Sequence, residues 1–246
     1  MSGFEDNYDS DSEYVTDYNL MDLGQFQLCR GTKLVGGSWG AVLEHCSDDD
    51  INFQFALPPI EVGESLDITE ASKNGFLRIK LNMNDSNHIE FKQWVESLDN
   101  WLVQQFVSNH NDWFGHMWQS GGPLEGRPIP PDSAIRDMYH PMLDDENIFC
   151  SRVHVRRGTY DIQCMDSDQQ SIGLESLTNC KVVPLVELKG IFMKPRGYNP
   201  DIVLRGLVMV TDEDDETETT EYCLFHSPDE EQPMAYYDYC TATEDE

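Results

Sequence analysis

The sequence predicts an α+β fold, mainly β, built around one inserted amphipathic helix and flanked by acidic termini expected to be disordered. Three observations predict it. Short segments that alternate apolar and polar residues lie on both sides of a single long stretch with helical spacing. Residues 181–210, KVVPLVELKGIFMKPRGYNPDIVLRGLVMV, read as two strands joined by a turn and hold five of the sixteen basic residues. The net charge of −30 is concentrated at the chain ends. A chain of 246 residues with 39% hydrophobic and 11% aromatic content can bury a substantial core.

Residues 1–24 carry seven acids and no base, and residues 211–246 carry fourteen acids and no base. Residues 25–210 keep 25 acids against 16 bases, and within 147–210 bases outnumber acids, eight to six. The expected organisation is an acidic disordered arm over 1–24, a folded domain over 25–210 and an acidic disordered tail over 211–246. No apolar run is long enough to span a bilayer, and the acidic first 24 residues do not read as a signal peptide, so a soluble intracellular chain is expected. Seven cysteines without a CxxC pair suit reduced thiols, and neither a zinc site nor a cofactor is expected.

In the arm, Tyr8, Tyr14 and Tyr18 follow no regular period, which suits a solvating segment. Residues 25–34 open a first strand, Gly36-Gly37-Ser38-Trp39-Gly40 turns the chain, and residues 41–45 return extended. Asp48-Asp49-Asp50 lacks the spaced ligands and closing Glu of a calcium loop and reads as a solvated turn. Ile51 to Phe55 alternates with period two, as a half-buried strand does, before Leu57-Pro58-Pro59. Residues 76–84, FLRIKLNMN, put Phe76, Arg78, Lys80 and Asn82 on one side and Leu77, Ile79, Leu81 and Met83 on the other.

From Ile89 the period changes. Phe91, Trp94, Val95, Leu98, Trp101, Leu102 and Phe106 recur every three or four residues, one apolar stripe on a helix of about five turns. Rings at that spacing are packing residues. After a linker-like stretch over 123–131, Asp132 or Ser133 caps a short helix that runs to Met138 and is stopped by Pro141. Residues 147–157, NIFCSRVHVRR, are strand-like, with Arg152, His154 and Arg156 on one face; Gly158 turns the chain into a further strand over 159–165. Several strands, a helix, then several strands describe an arrangement built on antiparallel pairing, and a five-stranded Greek-key barrel of OB type is the simplest architecture that fits.

The hairpin over 181–210 is the candidate working surface. Lys189 and Arg205 lie inside its arms, and Lys194-Pro195-Arg196-Gly197-Tyr198-Asn199-Pro200 reads as a basic loop carrying a ring. A groove of this kind would track a nucleic-acid backbone with cations and stack bases on the ring. The candidate nucleic-acid-binding residues are Arg78, Lys80, Arg152, His154, Arg156, Lys189, Lys194, Arg196, Tyr198 and Arg205. Solvated polar faces would explain the same strands; the positive sign, in so acidic a chain, is what favours binding.

INFQFALPP (51–59), FLRIKL (76–81), the helix running into NDWFG (111–115), SAIRDMYHPML (133–143) and VVPLVELKGIFM (182–193) occur in an order that resembles the OB-fold single-stranded-DNA-binding protein of nucleocytoplasmic large DNA viruses, the group that includes African swine fever virus. The resemblance spans about residues 50–210. It implies sequence-independent binding of single-stranded DNA in viral replication, repair or packaging, without catalysis or metal, inside the host cell or the virion. It carries over to Arg78, Lys80 and Lys189; the other seven candidates come from charge and ring placement. The acidic tail would compete for the groove or recruit replication proteins. The rival reading is an acidic virion or assembly protein that binds no nucleic acid. An enzyme is disfavoured, since no GxSxG, P-loop, HExxH or CxxC element occurs.

Overall fold

The computed structural model describes residues 12–33, 39–47, 52–63, 76–115, 120, 125–128, 130–153, 155–156, 159–160, 162–194, 197–210 and 222–225. Its strands are β1 (Ser12–Asp17), β2 (Phe26–Lys33), β3 (Trp39–His45), β4 (Gln54–Ala56), β5 (Ile60–Glu61), β6 (Phe76–Lys80), β7 (Ile148–Val153), β8 (Val155–Arg156), β9 (Thr159–Tyr160), β10 (Gln163–Met165), β11 (Lys181–Lys194), β12 (Gly197–Val210) and β13 (Tyr222–Phe225). A long helix α1 (Ser86–Phe114) and a short helix α2 (Asp132–Asp137) lie between β6 and β7. The α+β, mainly β class with its inserted helix is as the sequence predicts.

The expected hairpin over 181–210 is the axis of an 11-stranded sheet whose main path runs β13-β1-β4-β11-β12-β7-β6. On the side of β11 away from β12, three short segments line up end to end: β5 against Lys181 and Val182, β4 against Leu185 to Glu187, and β3 against Gly190 to Phe192. The pairing is mixed. β1 with β4, β10 with β12 and β12 with β7 are parallel, where antiparallel pairing throughout was expected. Parallel neighbours need long crossovers, and each of these three pairs has at least one other strand between its members in the sequence.

Two prolines sit inside these strands because their missing N–H falls where no ladder needs it. Pro184 lies in the gap between the β5 and β4 pairings of β11, and its carbonyl accepts from Leu57 N at 2.9 Å. Pro200 precedes Val203 and Leu204, the residues through which β12 meets β7. Gly190 has φ +141°, and a Cβ there would run into the Ala41 carbonyl, so the bulge that brings β3 onto β11 requires glycine.

Helix α1 has 29 residues, about eight turns rather than the expected five. Asp85 caps it by accepting from Asn87 N at 2.9 Å. Phe91, Val95, Leu98, Leu102 and Phe106 are buried along one stripe, and Trp94 and Trp101 pack at its margins. Burying those five side chains stabilises the fold by roughly 10 kcal/mol before entropy is counted. The stripe covers one sheet face: Phe91 meets Phe149 of β7 at 5.8 Å between centroids and Phe55 of β4 at 6.4 Å.

Three further expectations are corrected. Ile51 to Phe55 was expected to be half-buried, yet Phe53, Gln54, Phe55, Ala56 and Leu57 are all buried, because β4 is a central strand covered on both faces. Of the turn expected over Lys194–Pro200, Lys194 belongs to β11 and Gly197 to Pro200 belong to β12, while Pro195 and Arg196 lie outside the described residues. The acidic ends were expected to be disordered, with Tyr222 to Phe225 able to dock; among the described residues β1 and β13 pair antiparallel from Ser12↔Phe225 to Val15↔Tyr222, and β1 continues onto β4. Val15 and Tyr222 join Ala56, Met165, Val183, Leu185 and Val208 in a second small core, and that burial is what holds the two terminal segments. Asp48 to Asp50 lie outside the described residues.

Candidate functional site

Each sheet strand alternates between the helix-covered face and the opposite, outer face. In β6 the alternation is strict: Leu77 and Ile79 are buried under α1, while Phe76, Arg78 and Lys80 are exposed on the outer side. Registers extend this across five strands. Phe76 lies opposite Arg152, Arg152 opposite Val203, Val203 opposite Glu187, and Glu187 opposite Gln54, one cross-strand row on the face away from α1 that is exposed at Phe76, half-buried at Arg152 and buried at Val203, Glu187 and Gln54. A neighbouring position pairs Arg78 with Cys150.

The outer face therefore gathers five of the ten candidate residues: Arg78 and Lys80 from β6, Arg152 from β7, Lys189 from β11 and Arg205 from β12. Three carboxylates accompany them. Arg205 Nη2 meets Glu187 Oε2 at 2.5 Å, Lys189 Nζ lies 3.7 Å from Glu187 Oε1, Arg152 Nη2 donates to Asp201 Oδ1 at 2.8 Å, and Arg78 Nη2 lies 3.7 Å from Asp144.

Exposure separates the five. Arg78 is half exposed, Lys189 38%, Arg152 23% and Arg205 only 15%. Arg205 was expected to face a ligand; instead it sits in a β-bulge between Leu185 and Val186 registers, with its guanidinium committed to buried Glu187. Lys80 has no ion-pair partner among the described residues and stands at the exposed end of β6. Cys150, across from Arg78, has its thiol pushed up by burial, with the guanidinium opposing that shift, so it remains a neutral neighbour.

Tyr198 is corrected most plainly. It was expected as an accessible stacking ring in a loop, but it is a buried residue of β12 on the helix side, stacked on Phe106 at 4.3 Å and tilted against Tyr139 at 5.2 Å. Its backbone is held from both sides: Tyr198 N donates to Met138 O at 3.0 Å and His140 N donates to Tyr198 O at 2.9 Å. Burial pushes its hydroxyl up to about 12. Phe76, 38% exposed on the same side as Arg78 and Lys80, is the ring that the outer face offers instead. The alternation in FLRIK contained that information.

Arg156 and Lys194 are placed by their backbones alone. Arg156 lies in the β8–β9 ribbon opposite Thr159, and Lys194 closes the β11–β12 hairpin opposite Gly197. His154 and Arg196 lie outside the described residues. Because β7 runs parallel to β12 and β6 antiparallel to β7, Lys80 and the Lys194 hairpin end lie towards the same end of the sheet. Sequence reasoning missed the counter-acids Glu187, Asp201 and Asp144; Glu187, two residues before Lys189 in one strand, was the readable one.

No family model matches the chain, and no curated protein sequence matches it. Among solved structures, it is similar to the single-stranded DNA-binding protein from bacteriophage Enc34, with 10% identity and a TM-score of 0.31 over 76% of this chain and 90% of that one. The same phage protein in complex with ssDNA gives 9% identity and a TM-score of 0.30 over 75% of this chain and 96% of that one.

Proposed function

We propose that the protein binds single-stranded DNA without sequence preference, on the outer face of the sheet, with Arg78 and Lys80 of β6 as principal contacts, Phe76 as the stacking ring, and Lys189 and the Lys194 hairpin end extending the track. The observation that carries this reading is the gathering of Arg78, Lys80, Arg152, Lys189 and Arg205 onto one face across adjacent strands of an otherwise strongly acidic molecule. Cations on such a face release counterions from the phosphate chain, and an exposed ring stacks on any base. A hydrogen-bonded sheet holds them at fixed spacing, with about 4.8 Å between strands.

Within that reading the residues divide by role. Arg205 and Arg152 are held by Glu187 and Asp201 and keep the belt in register; Arg78, Lys80 and Phe76 meet the ligand. The ordered motifs from INFQFALPP to VVPLVELKGIFM support placing the chain with the viral OB-fold single-stranded-DNA-binding proteins, acting in replication, repair or packaging in the infected cell. The acidic tail then competes for the face or recruits replication proteins.

Charge reversal tests it. Fluorescence anisotropy of a labelled oligo-dT strand at low salt is expected to show binding by the native chain and a loss of at least tenfold in Arg78→Glu/Lys80→Glu. Circular dichroism should be unchanged, because both side chains are exposed. Equal affinity in the double variant, or no binding by the native chain, contradicts the reading and leaves the acidic assembly protein in its place.

A further inference from the structure

We propose that two copies of this chain pair through the solvent side of α1, helix against antiparallel helix, in a closed symmetric dimer. On the side of α1 opposite its buried stripe, Gln93, Ser97, Asn100, Gln104, Ser108 and Asn111 recur every three or four residues, and all six are exposed. Among the exposed residues of 91–111 the one charged side chain is Glu96. A solvated helix face in a chain of charge −30 would be expected to carry Glu or Lys, which are also better helix formers than Ser and Asn. Two of the six fold back on their own helix: Ser97 Oγ donates to Gln93 O at 2.9 Å, and Asn100 Nδ2 donates to Glu96 O at 2.8 Å. Such bonding competes with the helix rather than supporting it, so helix stability does not account for the stripe.

The chemistry of the stripe selects its occupant. Amides and hydroxyls both donate and accept, so an uncharged stripe of them is matched by a second stripe of the same kind. A basic partner would be met by acids, an acidic one by cations and an apolar one by apolar side chains. The order of the residues is self-complementary as well. With two helices antiparallel about a two-fold axis at the height of Leu102, Gln93 meets Asn111, Asn100 meets Gln104, and Ser97 meets Ser108 within one residue's rise. Amide then faces amide and hydroxyl faces hydroxyl along about 27 Å of helix. Two effects favour the antiparallel over the parallel pair. The helix dipoles oppose each other. The two Glu96 side chains also stand about 18 Å apart, beyond the screening length of about 8 Å at 0.15 M salt, where a parallel pair would set them at one height. Because α1 covers the face of the sheet opposite Arg78 and Lys80, this junction leaves the outer faces of both copies open; that consequence alone bears on the DNA reading.

Sedimentation of the full chain without DNA at 0.15 M salt, over a concentration series, tests the pairing. The expected result is a monomer–dimer equilibrium that stops at the dimer. Asn100→Glu/Gln104→Glu places four carboxylates at the centre of the junction, and Asn100→Lys/Gln104→Lys places four ammonium groups there. Each variant alone is expected to stay monomeric, with circular dichroism unchanged because both positions are exposed. An equimolar mixture of the two should restore a 1:1 dimer. Arg78→Glu/Lys80→Glu, on the far face of the sheet, should dimerise like the native chain. A native chain that is monomeric at every concentration, or that grows past the dimer, overturns the proposal. So does a charged helix variant that dimerises like the native chain, or a mixture of the two that stays monomeric. DNA binding by a strictly monomeric native chain would remove this inference and leave the function standing.

Discussion

Tyr198 and Asp99 show how single polar groups in this core set measurable properties. Among the described residues the buried Tyr198 hydroxyl has no hydrogen-bond partner, so it adds nothing to the stability that its ring gives. Tyr198→Phe is expected to be neutral or slightly stabilising, and Tyr198→Ala to cost about 3–5 kcal/mol in denaturant unfolding. Asp99 of α1 is buried, accepts from the Tyr139 hydroxyl and takes Met142 N at 3.2 Å on its other oxygen. Burial raises its carboxyl to about 6, with those hydrogen bonds opposing the shift. A folded pKa above the unfolded value means that the native state holds the proton more tightly, so stability from this group is fully present below about pH 4 and is lost as pH rises through 6. Relative to Asp99→Asn, the native protein should lose on the order of 2 kcal/mol between pH 4 and pH 7. A pH-independent difference would contradict the assignment. Glu187 is a buried acid shared by Arg205 and Lys189, and Glu187→Gln removes that carboxylate and should cost about 3 kcal/mol.

Among the elements, β6 was the most legible in the sequence, because one of its faces is solvent and the other is core, and period two is the direct record of that difference. Helix α1 was legible for the same reason, although its last turns, where Trp113 packs against Phe106, blur the stripe. Strand β4 was legible as a strand but not as a buried one, since Gln54 alternates in the sequence with Phe53 and Phe55 yet is buried with them. The hairpin tip was misread because Pro195, Gly197 and Pro200 carry turn chemistry. Gly197 is needed there for another reason: a Cβ would meet the Met138 carbonyl and the His140 ring. Local pattern also cannot reveal partners far apart in sequence, so β1, β13 and the parallel pairs were invisible. Gly190→Ala tests the bulge at this scale. Its φ of +141° and the close Ala41 carbonyl predict a loss of more than 1 kcal/mol and loosened protection of the β3 amides in hydrogen exchange.

At the scale of the whole molecule, charge is sorted by position. The chain ends hold 21 of the 46 acids, while the sheet's outer face collects cations and pairs the two least exposed of them, Arg152 and Arg205, with Asp201 and Glu187. That partial neutralisation makes the account quantitative. With Arg152 and Arg205 committed to acids, about three cations, Arg78, Lys80 and Lys189, remain to displace counterions, which for a single strand gives a slope of log affinity against log salt near −2. A groove of ten free cations would give a slope roughly three times steeper. The most direct measurement is therefore the affinity of the native chain for a labelled oligo-dT strand at two or more salt concentrations. The account predicts binding with a slope close to −2 that falls towards zero in Arg78→Glu/Lys80→Glu. Absence of binding at low salt, or a slope that the double variant leaves unchanged, would contradict it.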